Sequence, residues 1–428
     1  MINISYSKSI PVIGEYDVIV AGSGPAGLAA AVSSARKGAR TVLIERLGIV
    51  GGNLTSGYVG PIMGEASSGA IGCEILSKLK VTLNKEFHNA EDAKIILTNM
   101  VNESGSEMFL QTPVIDVIME ENAVTGLVVA TKNGLAAVKG KIIIDATGDG
   151  IVSYMAGAQV MLGREGDGLV QPVTLMFTIA NVDDEKTLLC EHEGYPKETT
   201  EGKFILLCEQ KAKEGELPPN VTIVRLYRTN RKGERMINAT QENHINGLDI
   251  KDIARAEIAL RNQIVKVYEF IKKYVPGCEE CHIKGSADVL GIRESRRIKG
   301  EYVLQDLDLI NGRKFEDVMV HNAQFVIDIH NPDGGGQAEG LAVQIKPYDI
   351  PYGCFVPEGI DNLYTAGRCI SGTHRAHASY RVMNICMAMG QAVGIGAALA
   401  AETGVTPGKL NYKLIQEELN SLGVKLYD

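Results

Sequence analysis

A glycine-rich turn between two short apolar segments constrains this chain more than any other part of its sequence. Residues 16–45 read YDVIVAGSGPAGLAAAVSSARKGARTVLIE. The pattern predicts a buried strand over residues 16–21, a helix over 26–37 and a second buried strand over 40–45. Gly38 stands just after the helix, where a left-handed residue often ends one. The segment is therefore a βαβ unit, which requires a parallel sheet.

The first turn of this unit carries the pattern G-x-G-x-x-G, formed by Gly22, Gly24 and Gly27. Gly22 allows the tight turn, Gly24 lets a pyrophosphate approach the backbone, and Gly27 lets helix and strand pack closely. The N-terminus of the helix then directs free N–H groups at the phosphates. Glu45 ends the second strand, where a carboxylate can accept hydrogen bonds from both hydroxyls of a ribose. Together these features predict a dinucleotide site.

Size and composition exclude several other classes of protein. The chain has 428 residues, of which 45% are hydrophobic and 22% charged, so collagen, coiled coil and general disorder are excluded. The net charge of −9 argues against nucleic acid as the main partner. No run of eighteen apolar residues and no signal peptide is evident, and the eight cysteines are scattered. We therefore expect a cytoplasmic protein without a membrane span and with reduced thiols.

Three further segments combine strands with glycines. ERLGIVGGN places Gly51, Gly52 and Asn53 shortly after the second strand. The segment KIIIDATGDG, residues 141–150, reads as a strand whose end can close over the dinucleotide from the other side. Near the C-terminus, NLYTAGR at residues 362–368 is again a strand running into a glycine.

With these segments the chain resembles FAD-dependent oxidoreductases that have a single FAD domain of the glutathione-reductase type. The matching pieces span nearly the whole chain in the family's order, and they also include LGIRESRRIKGEY, DIHNP, IPYGCFVP and the long segment from residue 362 to 400. The resemblance implies an α/β fold: a Rossmann-like FAD-binding domain with an inserted α+β substrate domain. We expect the discontinuous FAD-binding domain at residues 1–160 and 335–428, and the substrate domain at 161–334.

The resemblance also implies which residues bind FAD. They are Gly22, Gly24, Pro25, Ala26, Gly27, Glu45, Arg46, Gly51, Gly52, Asn53, Val114, Ala146, Thr147, Gly148, Asp149, Gly367, Arg368, Arg381, Val382 and Met383. At Arg368 many such flavoproteins have Asp; the arginine could contact a phosphate or point away and leave that contact to backbone N–H groups. Related fumarate-reductase-like flavoproteins attach FAD through a histidine near the glycine pair, but GGNLTSG lacks one, so we predict non-covalent FAD.

The rest of the chain yields a coarse secondary structure. Residues 54–107 read as a helical connection whose amphipathic part is 74–87, and residues 109–130 as two strands with a turn at Glu121 and Asn122. Residues 169–183 and 220–230 are strand-like, and 249–277 form one long amphipathic helix. The last helix is expected from residue 380 to about 399, with glycines that allow close packing on the FAD-binding domain.

The segment THRAHASYR, residues 373–381, immediately precedes that last helix. By the resemblance, the N-terminus of the helix points at the flavin, which places His374, His377 and Arg381 near the isoalloxazine. An imidazole there can take or give a substrate proton near neutral pH. The alternative is that these residues only hold the loop.

Two other segments carry candidate functional groups. In GIRESRR, strand alternation places Arg293 and Ser295 on one face and Glu294 and Arg296 on the other. This arrangement suits either anion binding or a clamp between domains, and His330-Asn331 could face the same cleft. C-x-x-C-H at residues 278–282 matches haem, dithiol or zinc patterns, but it lacks an export signal and a second ligand pair, so we predict no cofactor or metal there.

These observations predict an FAD-dependent oxidoreductase that transfers a hydride between a small polar or anionic substrate and flavin N5. His374 or His377 would handle the proton, while Arg381 and Arg293 would orient the substrate. The alternatives are an FAD-binding electron-transfer subunit of a larger redox complex and a non-catalytic binding protein on the same fold. The direction of the reaction, the electron acceptor and the formation of a homo-oligomer are left open.

Overall fold

The structure, a computed structural model, describes residues 4, 6–83, 87–187, 198–199, 202–336 and 342–427. The strands in chain order are β1 (Val12–Ala21), β2 (Thr41–Ile44), β3 (Glu107–Phe109), β4 (Val114–Glu120), β5 (Ala123–Thr131), β6 (Gly134–Asp145), β7 (Val160–Leu162), β8 (Phe177–Ala180), β9 (Glu198–Thr199), β10 (Gly202–Lys203), β11 (Arg225–Arg228), β12 (Arg235–Asn238), β13 (His282–Ser286), β14 (Arg296–Ile298), β15 (Val318–Ala323), β16 (Tyr348–Pro351) and β17 (Leu363–Thr365). The α-helices are α1 (Pro25–Arg36), α2 (Ile71–Leu79), α3 (Ala90–Glu103), α4 (Ile151–Met155), α5 (Phe204–Glu214), α6 (Ile250–Tyr274), α7 (Asp306–Asn311), α8 (His374–Tyr380), α9 (Met383–Thr403) and α10 (Tyr412–Ser421).

A seven-stranded sheet carries the βαβ unit predicted from the sequence. Its order is β3-β2-β1-β6-β5-β4, and β17 also pairs with β6. Strands β1, β2, β3, β6 and β17 are parallel, whereas β4 and β5 add to the edge in antiparallel fashion. The carboxyl ends of the parallel strands therefore lie at one edge, where ligands of open α/β sheets bind.

Helices α1 and α9 pack so closely that two positions of α9 have no room for a side chain larger than that of glycine. A Cβ on Gly390 would lie 2.0 Å from the carbonyl oxygen of Ala26, and one on Gly394 would lie 2.4 Å from that of Ala30. The predicted close packing of the last helix on the FAD-binding unit is confirmed at these positions. By length and apolar composition α9 could cross a membrane, but 89% of its most apolar window is buried inside the protein.

A second sheet has the antiparallel order β11-β12-β8-β13 and packs against α5 and α6. Its buried side chains, between residues 173 and 287, form a hydrophobic cluster of their own. Buried residues from 304 to 329 instead belong to the cluster that contains α1 and α9. The domain limits at 161 and 334 stay a prediction, and this second cluster occupies the middle of the expected insertion.

Several predicted elements are shorter than expected or divided. Within residues 54–107 the helix begun at Ile71 ends at Leu79, and a separate α3 follows; residues 84–86 of the predicted amphipathic part lie outside the described residues. The strands expected at 169–183 and 220–230 shrink to β8 and β11. The hairpin with its turn at Glu121 (φ 53°) and the long helix α6, capped by the side chain of Asp249, are confirmed.

A separate short helix, α8, precedes the long helix predicted near the C-terminus. Val382 has extended backbone angles (φ −75°, ψ 152°), which ends the helical path after α8 and begins α9 at Met383. Thr373 caps α8 by accepting a hydrogen bond from the backbone N–H of Ala376 at 3.2 Å. The helix predicted from residue 380 to about 399 is confirmed as α9, which begins three residues later. It is not the last helix, because α10 follows it, and the histidine segment before it forms the separate short helix α8.

Candidate active site

A cavity of about 210 Å³ lies at the carboxyl ends of β1, β2, β6 and β17; we call it the dinucleotide cavity. It brings together most of the residues predicted to bind FAD. Those in its wall are Gly22, Gly24, Pro25, Ala26, Glu45, Arg46, Gly52, Asn53, Val114, Ala146, Thr147, Gly148, Asp149, Gly367, Arg368, Arg381 and Met383. Their binding of FAD stays a prediction.

The glycine turn leaves space for a ligand next to the backbone. Gly22 has φ +91°, and a Cβ there would lie 2.6 Å from the carbonyl oxygen of Ala146. Gly24, the residue before α1, has no atom within 4 Å of the position of a Cβ, because that side faces the cavity. The turn and the helix N-terminus together form the cradle that a pyrophosphate requires.

The carboxylate of Glu45 is held in place by the same turn. Its Oε2 accepts hydrogen bonds from the backbone N–H of Ser23 at 2.8 Å and from Ser23 Oγ at 2.6 Å. Its Oε1 accepts from the backbone N–H of Leu47 at 2.8 Å. Glu45 is 6% exposed and lies in the cavity wall, a position suited to a ribose.

Three predicted FAD residues lie outside the wall of this cavity. A Cβ on Gly27 would lie 1.9 Å from the carbonyl oxygen of Gly22, so Gly27 serves the packing of α1 on β1. Gly51 has φ +108° and precedes a short 3₁₀ turn. Val382 lines the neighbouring cavity instead. Wall residues that sequence reasoning missed are Ser23, Ile44, Leu47, Thr112, Pro113, Ile151, Val289, Leu290, Ile292, Ala366 and Cys386.

The guanidinium of Arg368 joins two segments of the cavity wall, residues 148–149 and Ile292. Its Nη2 pairs with Oδ1 of Asp149 at 2.5 Å, its Nε donates to the carbonyl oxygen of Gly148 at 3.0 Å, and its Nη1 donates to the carbonyl oxygen of Ile292. Arg368 also lines the dinucleotide cavity, so whether it contacts a phosphate or leaves that contact to backbone N–H groups stays a prediction.

A second cavity of about 120 Å³ adjoins the first; we call it the substrate cavity. The two cavities share Asn53, Ile292, Arg368, Arg381 and Met383. The other residues in its wall come from the second sheet and from the loops beside it: Val59, Pro61, Met63, Thr174, Met176, Arg225, Tyr227, Asn238, Gly291, Arg293, Asp328, His330 and Val382. The cavity therefore lies between the dinucleotide unit and the second sheet, as expected for a substrate site.

Asp328 connects two predicted site residues within this cavity. Its Oδ2 lies 3.2 Å from Nη2 of Arg381 and 3.3 Å from Nε2 of His330. Gln171, which is fully buried, accepts hydrogen bonds through Oε1 from the backbone N–H of His330 at 3.3 Å and from Arg381 at 3.4 Å. The imidazole is thereby fixed beside a carboxylate.

Burial and the positive charges of neighbouring arginines lower the pKa of this imidazole. Burial and the charge of Arg293 lower the pKa of His330 to about 4, against the opposing effect of Asp328. Burial and the charge of Arg381 lower the pKa of Arg293 to about 9. At neutral pH His330 is therefore neutral and Arg293 is still charged.

The two histidines expected at the flavin lie on α8. Within the part of the chain that the structure describes, neither His374 nor His377 lines the two cavities. Nδ1 of His374 lies 2.8 Å from Oε1 of the buried Glu294. His377 is fully buried with an edge-on contact to Tyr380, and burial lowers its pKa well below its usual value. Both rings of α8 are buried in the protein, so the cavities give no support to their placement at the flavin, which stays a prediction. His330 is the histidine in the wall of the substrate cavity.

The residues of the arginine segment divide between the substrate cavity and contacts inside the protein, and anion binding there stays a prediction. Arg293 lines the substrate cavity, whereas Glu294 pairs with Arg297 at 2.5 Å and holds His374. Ser295 donates to Oδ1 of Asp149 at 2.6 Å. Strand β14 begins only at Arg296, so the predicted strand alternation over residues 293–295 is not what separates the groups.

Other predicted groups lie apart from the cavities. Cys278 and Cys281 are buried in the turn between α6 and β13, and the main chain of Asn331 accepts from the side chain of Asn243 at 2.8 Å. In the described ranges no cluster of three or more His, Cys, Asp or Glu side chains could hold a metal ion. Residues in or beside the wall of the substrate cavity that sequence reasoning missed include Arg225, Asp328, Gln171, Tyr227 and Asn238.

The sequence matches the model of the family FAD dependent oxidoreductase over residues 17–419. Among characterised proteins it is similar to thiamine thiazole synthase of Pyrococcus horikoshii, with 28% identity over 173 residues, which is 36% of this chain and 66% of that enzyme. The corresponding enzyme of Methanococcus vannielii is 31% identical over 169 residues, covering 36% and 65% of the two chains. The matched region thus spans less than two thirds of these relatives.

Among solved structures, a geranylgeranyl bacteriochlorophyll reductase-like protein from Thermoplasma acidophilum aligns with a TM-score of 0.49 and 14% identity. The alignment covers 96% of this chain and 84% of that one.

Proposed function

This chain belongs to the FAD-dependent oxidoreductase family and uses FAD as its cofactor, and on that premise we propose that it transfers a hydride between flavin N5 and a small polar or anionic substrate. The observation that supports this proposal is that the two cavities adjoin and share wall residues, among them Asn53, Arg381 and Met383. A ligand in the substrate cavity would meet the dinucleotide cavity along this shared wall.

The residues around the dinucleotide cavity suit FAD. The turn from Gly22 to Ala26 would hold the pyrophosphate, Glu45 the adenosine ribose and Val114 the adenine side. Bound FAD supplies a two-electron centre that accepts or returns a hydride. We propose that it is bound without a covalent link, because residues 51–57 contain no histidine.

We assign the proton step to His330. The imidazole is neutral at pH 7 because its pKa is about 4, so it can accept a proton from a substrate hydroxyl or amine as the hydride leaves. Asp328, 3.3 Å away, orients the ring and would stabilise the imidazolium that forms. In the opposite direction only the imidazolium form of the ring could donate the proton, so reduction of a substrate should be faster at lower pH.

Arg381 lies between the two sites. Its contact with Asp328 at 3.2 Å fixes the guanidinium where both cavities end. Its Nε is buried and has no hydrogen-bond partner, so this group remains for an electronegative atom of a ligand. We propose that Arg381 orients the substrate relative to the flavin.

The test begins with the purified protein, which should be yellow and should release intact FAD on acid or heat denaturation. Anaerobic addition of small hydroxy acids, amino acids, alcohols and amines should bleach the flavin band with at least one compound, or photoreduced enzyme should be reoxidised by an unsaturated or carbonyl compound. Flavin that responds to dithionite but to no compound in either direction would favour the alternative of an electron-transfer subunit.

A further inference from the structure

Resting on the proposed function, we infer that the substrate is a small carboxylate whose negative group binds between Arg225 and Arg293. These arginines lie at the end of the substrate cavity that is farther from the dinucleotide cavity. The argument uses their position, their lack of an acidic partner and the apolar surface beside them.

The position follows from how the cavities overlap. Arg225, Asn238, Arg293 and His330 line the substrate cavity and also a smaller one beyond it. None of these four lines the dinucleotide cavity. Arg225, Asn238 and Arg293 therefore mark the distal end, while Asn53 and the other shared residues mark the end next to the dinucleotide cavity. His330 lies between the two ends, since its Nε2 is 3.3 Å from Asp328, which in turn contacts the shared Arg381 at 3.2 Å.

The charges in the substrate cavity do not balance. Arg381 pairs with Asp328 and Arg368 pairs with Asp149. By contrast, within the described part of the chain neither of the two distal arginines has a carboxylate within ion-pair distance. Two positive charges thus remain uncompensated in the wall of a partly enclosed cavity, and His330, neutral at pH 7, adds none.

The hydrogen-bonding groups of the two arginines are also incompletely used. Nε of Arg225 is buried without a partner. Arg293 donates through Nη1 to the carbonyl oxygen of Pro172 at 2.7 Å, which leaves the rest of its guanidinium available. A buried, unpaired guanidinium is unfavourable, and the planar fork of arginine matches a carboxylate with two parallel hydrogen bonds. An anion would satisfy both requirements.

The remaining wall indicates a carbon skeleton rather than an inorganic anion. Val59, Met63, Met176, Tyr227 and Val382 contribute apolar surface to the same cavity. Burying hydrocarbon there is favourable, whereas inorganic phosphate would leave this surface in contact with water. The substrate would therefore present a carboxylate to the distal arginines and its reacting carbon to the end shared with the dinucleotide cavity.

Binding can be tested without turnover, on the oxidised holoenzyme, through the change in flavin absorbance. Butanoate and its uncharged counterpart butanamide are titrated at constant ionic strength, with inorganic phosphate as a third probe. We expect saturable binding of butanoate, and at least tenfold weaker binding of butanamide and phosphate. Arg225→Gln and Arg293→Gln should each weaken butanoate binding by ~10–100-fold, the range for losing a charged hydrogen bond.

The matched control is Arg255→Gln on α6, since that arginine is 53% exposed and lies outside both cavities. It should bind butanoate like the parent. If either glutamine variant loses FAD, the corresponding lysine variant replaces it; this variant keeps the charge but not the fork, so butanoate binding should weaken severalfold.

Unchanged butanoate affinity in the variants at normal FAD content, or equal affinity for butanamide, would overturn the inference. A neutral compound that bleaches the flavin equally fast in parent and variants would also overturn it and would leave the proposed function standing. Butanoate binding that depends on the two arginines, without bleaching by any carboxylate, would instead reject the proposed function alone.

Discussion

Oδ2 of Asp328 lies 3.3 Å from Nε2 of His330, inside the cavity that adjoins the dinucleotide site. The same oxygen lies 3.2 Å from Arg381, so one carboxylate connects the proposed proton acceptor with the residue at the junction of the two cavities. The contact fixes the imidazole, and the arginine limits the negative charge that the imidazole experiences. This shared carboxylate is the basis for the first two predictions.

His330→Asn should retain FAD but slow substrate-driven flavin reduction by ~10²–10⁴, the usual range for losing a general acid–base. Anaerobic stopped-flow absorbance at the flavin band measures the rate. The control is His244→Asn, because His244 also lies near an aspartate, at 3.9 Å from Asp333, but is 58% exposed and outside both cavities. A parent-like rate in His330→Asn would show that another group moves the proton.

The pH dependence of the reaction rate should reflect the low pKa of His330, which the neighbouring arginines help to cause. For substrate oxidation the neutral imidazole is active, so kcat/KM should fall as the pH drops through about 4, the pKa of His330 in the free protein. An anion bound beside Arg293 would offset the repulsion that lowers this pKa, so the limb in kcat should lie at higher pH than the limb in kcat/KM. Because a carboxylate substrate itself titrates at about pH 4, the limb in kcat, measured at saturating substrate, is the deciding one. Coincident limbs, or an unchanged kcat limb in His330→Asn, would contradict this assignment.

Local patterns predicted the dinucleotide unit because every signal for it lies within thirty residues of sequence. The glycine turn, the apolar strands and Glu45 are adjacent in the chain and are also adjacent in space. The face of β11 that carries Arg225, the proposed anion-binding residue, was harder to predict from the sequence. In β11 the residues alternate, with Leu226 buried in the second cluster and Arg225 and Tyr227 facing the cavity. That alternation is visible in the sequence, but what the opposite face meets depends on the distant FAD-binding unit.

The histidines of α8 show the other limit of sequence reasoning. Their closeness to the start of α9 in the chain suggested closeness to the flavin. One local and one non-local contribution place the rings in the protein interior: the extended Val382 separates the two helices, and Glu294, eighty residues before His374, holds its ring. His330 could be named as a candidate, but its partner Asp328 could be identified only from the contacts of the folded chain.

Glu294→Gln should destabilise the protein strongly. The carboxylate is buried and receives Arg297 at 2.5 Å, His374 at 2.8 Å and the backbone N–H of Gln171 at 3.1 Å. Removing one partner of a buried ion pair costs ~3–5 kcal/mol. The thermal unfolding midpoint should therefore fall by several degrees or more. In the control Glu74→Gln, which breaks a pair that is 46% and 35% exposed, the shift should be small.

By the same interpretation, His374 stabilises the fold and takes no part in the reaction. His374→Asn should lower the unfolding midpoint while the rate of flavin reduction, per bound FAD, stays within a few-fold of the parent rate. A loss comparable to that of His330→Asn would return the proton step to α8.

Gly390→Ala should loosen the packing of α9 on α1. The new Cβ would lie 2.0 Å from the carbonyl oxygen of Ala26, and backbone cannot move away without shifting a whole helix. Overpacking of this kind costs ~1–3 kcal/mol, and because Met383 at the start of α9 lines both cavities, FAD retention should also fall. Gly396→Ala is the control, since its Cβ would meet the flexible end of Ile415 at 2.8 Å. Equal behaviour of the two variants would contradict this account of the packing.

Glu45→Ala should weaken FAD binding by ~1–3 kcal/mol, as expected for a buried charged hydrogen-bonding group. The carboxylate both holds Ser23 in the glycine turn and faces the cavity, so its loss affects the shape of the cradle and the proposed contact with the ribose. Fluorescence titration of the apoprotein with FAD gives the affinity. Glu45→Gln should lie between parent and alanine variant, because the amide oxygen can still accept from Ser23. The exposed Glu15→Ala serves as the control on β1 and should bind FAD normally. If Glu45→Ala binds FAD as tightly as the parent, the nucleotide does not contact the end of β2.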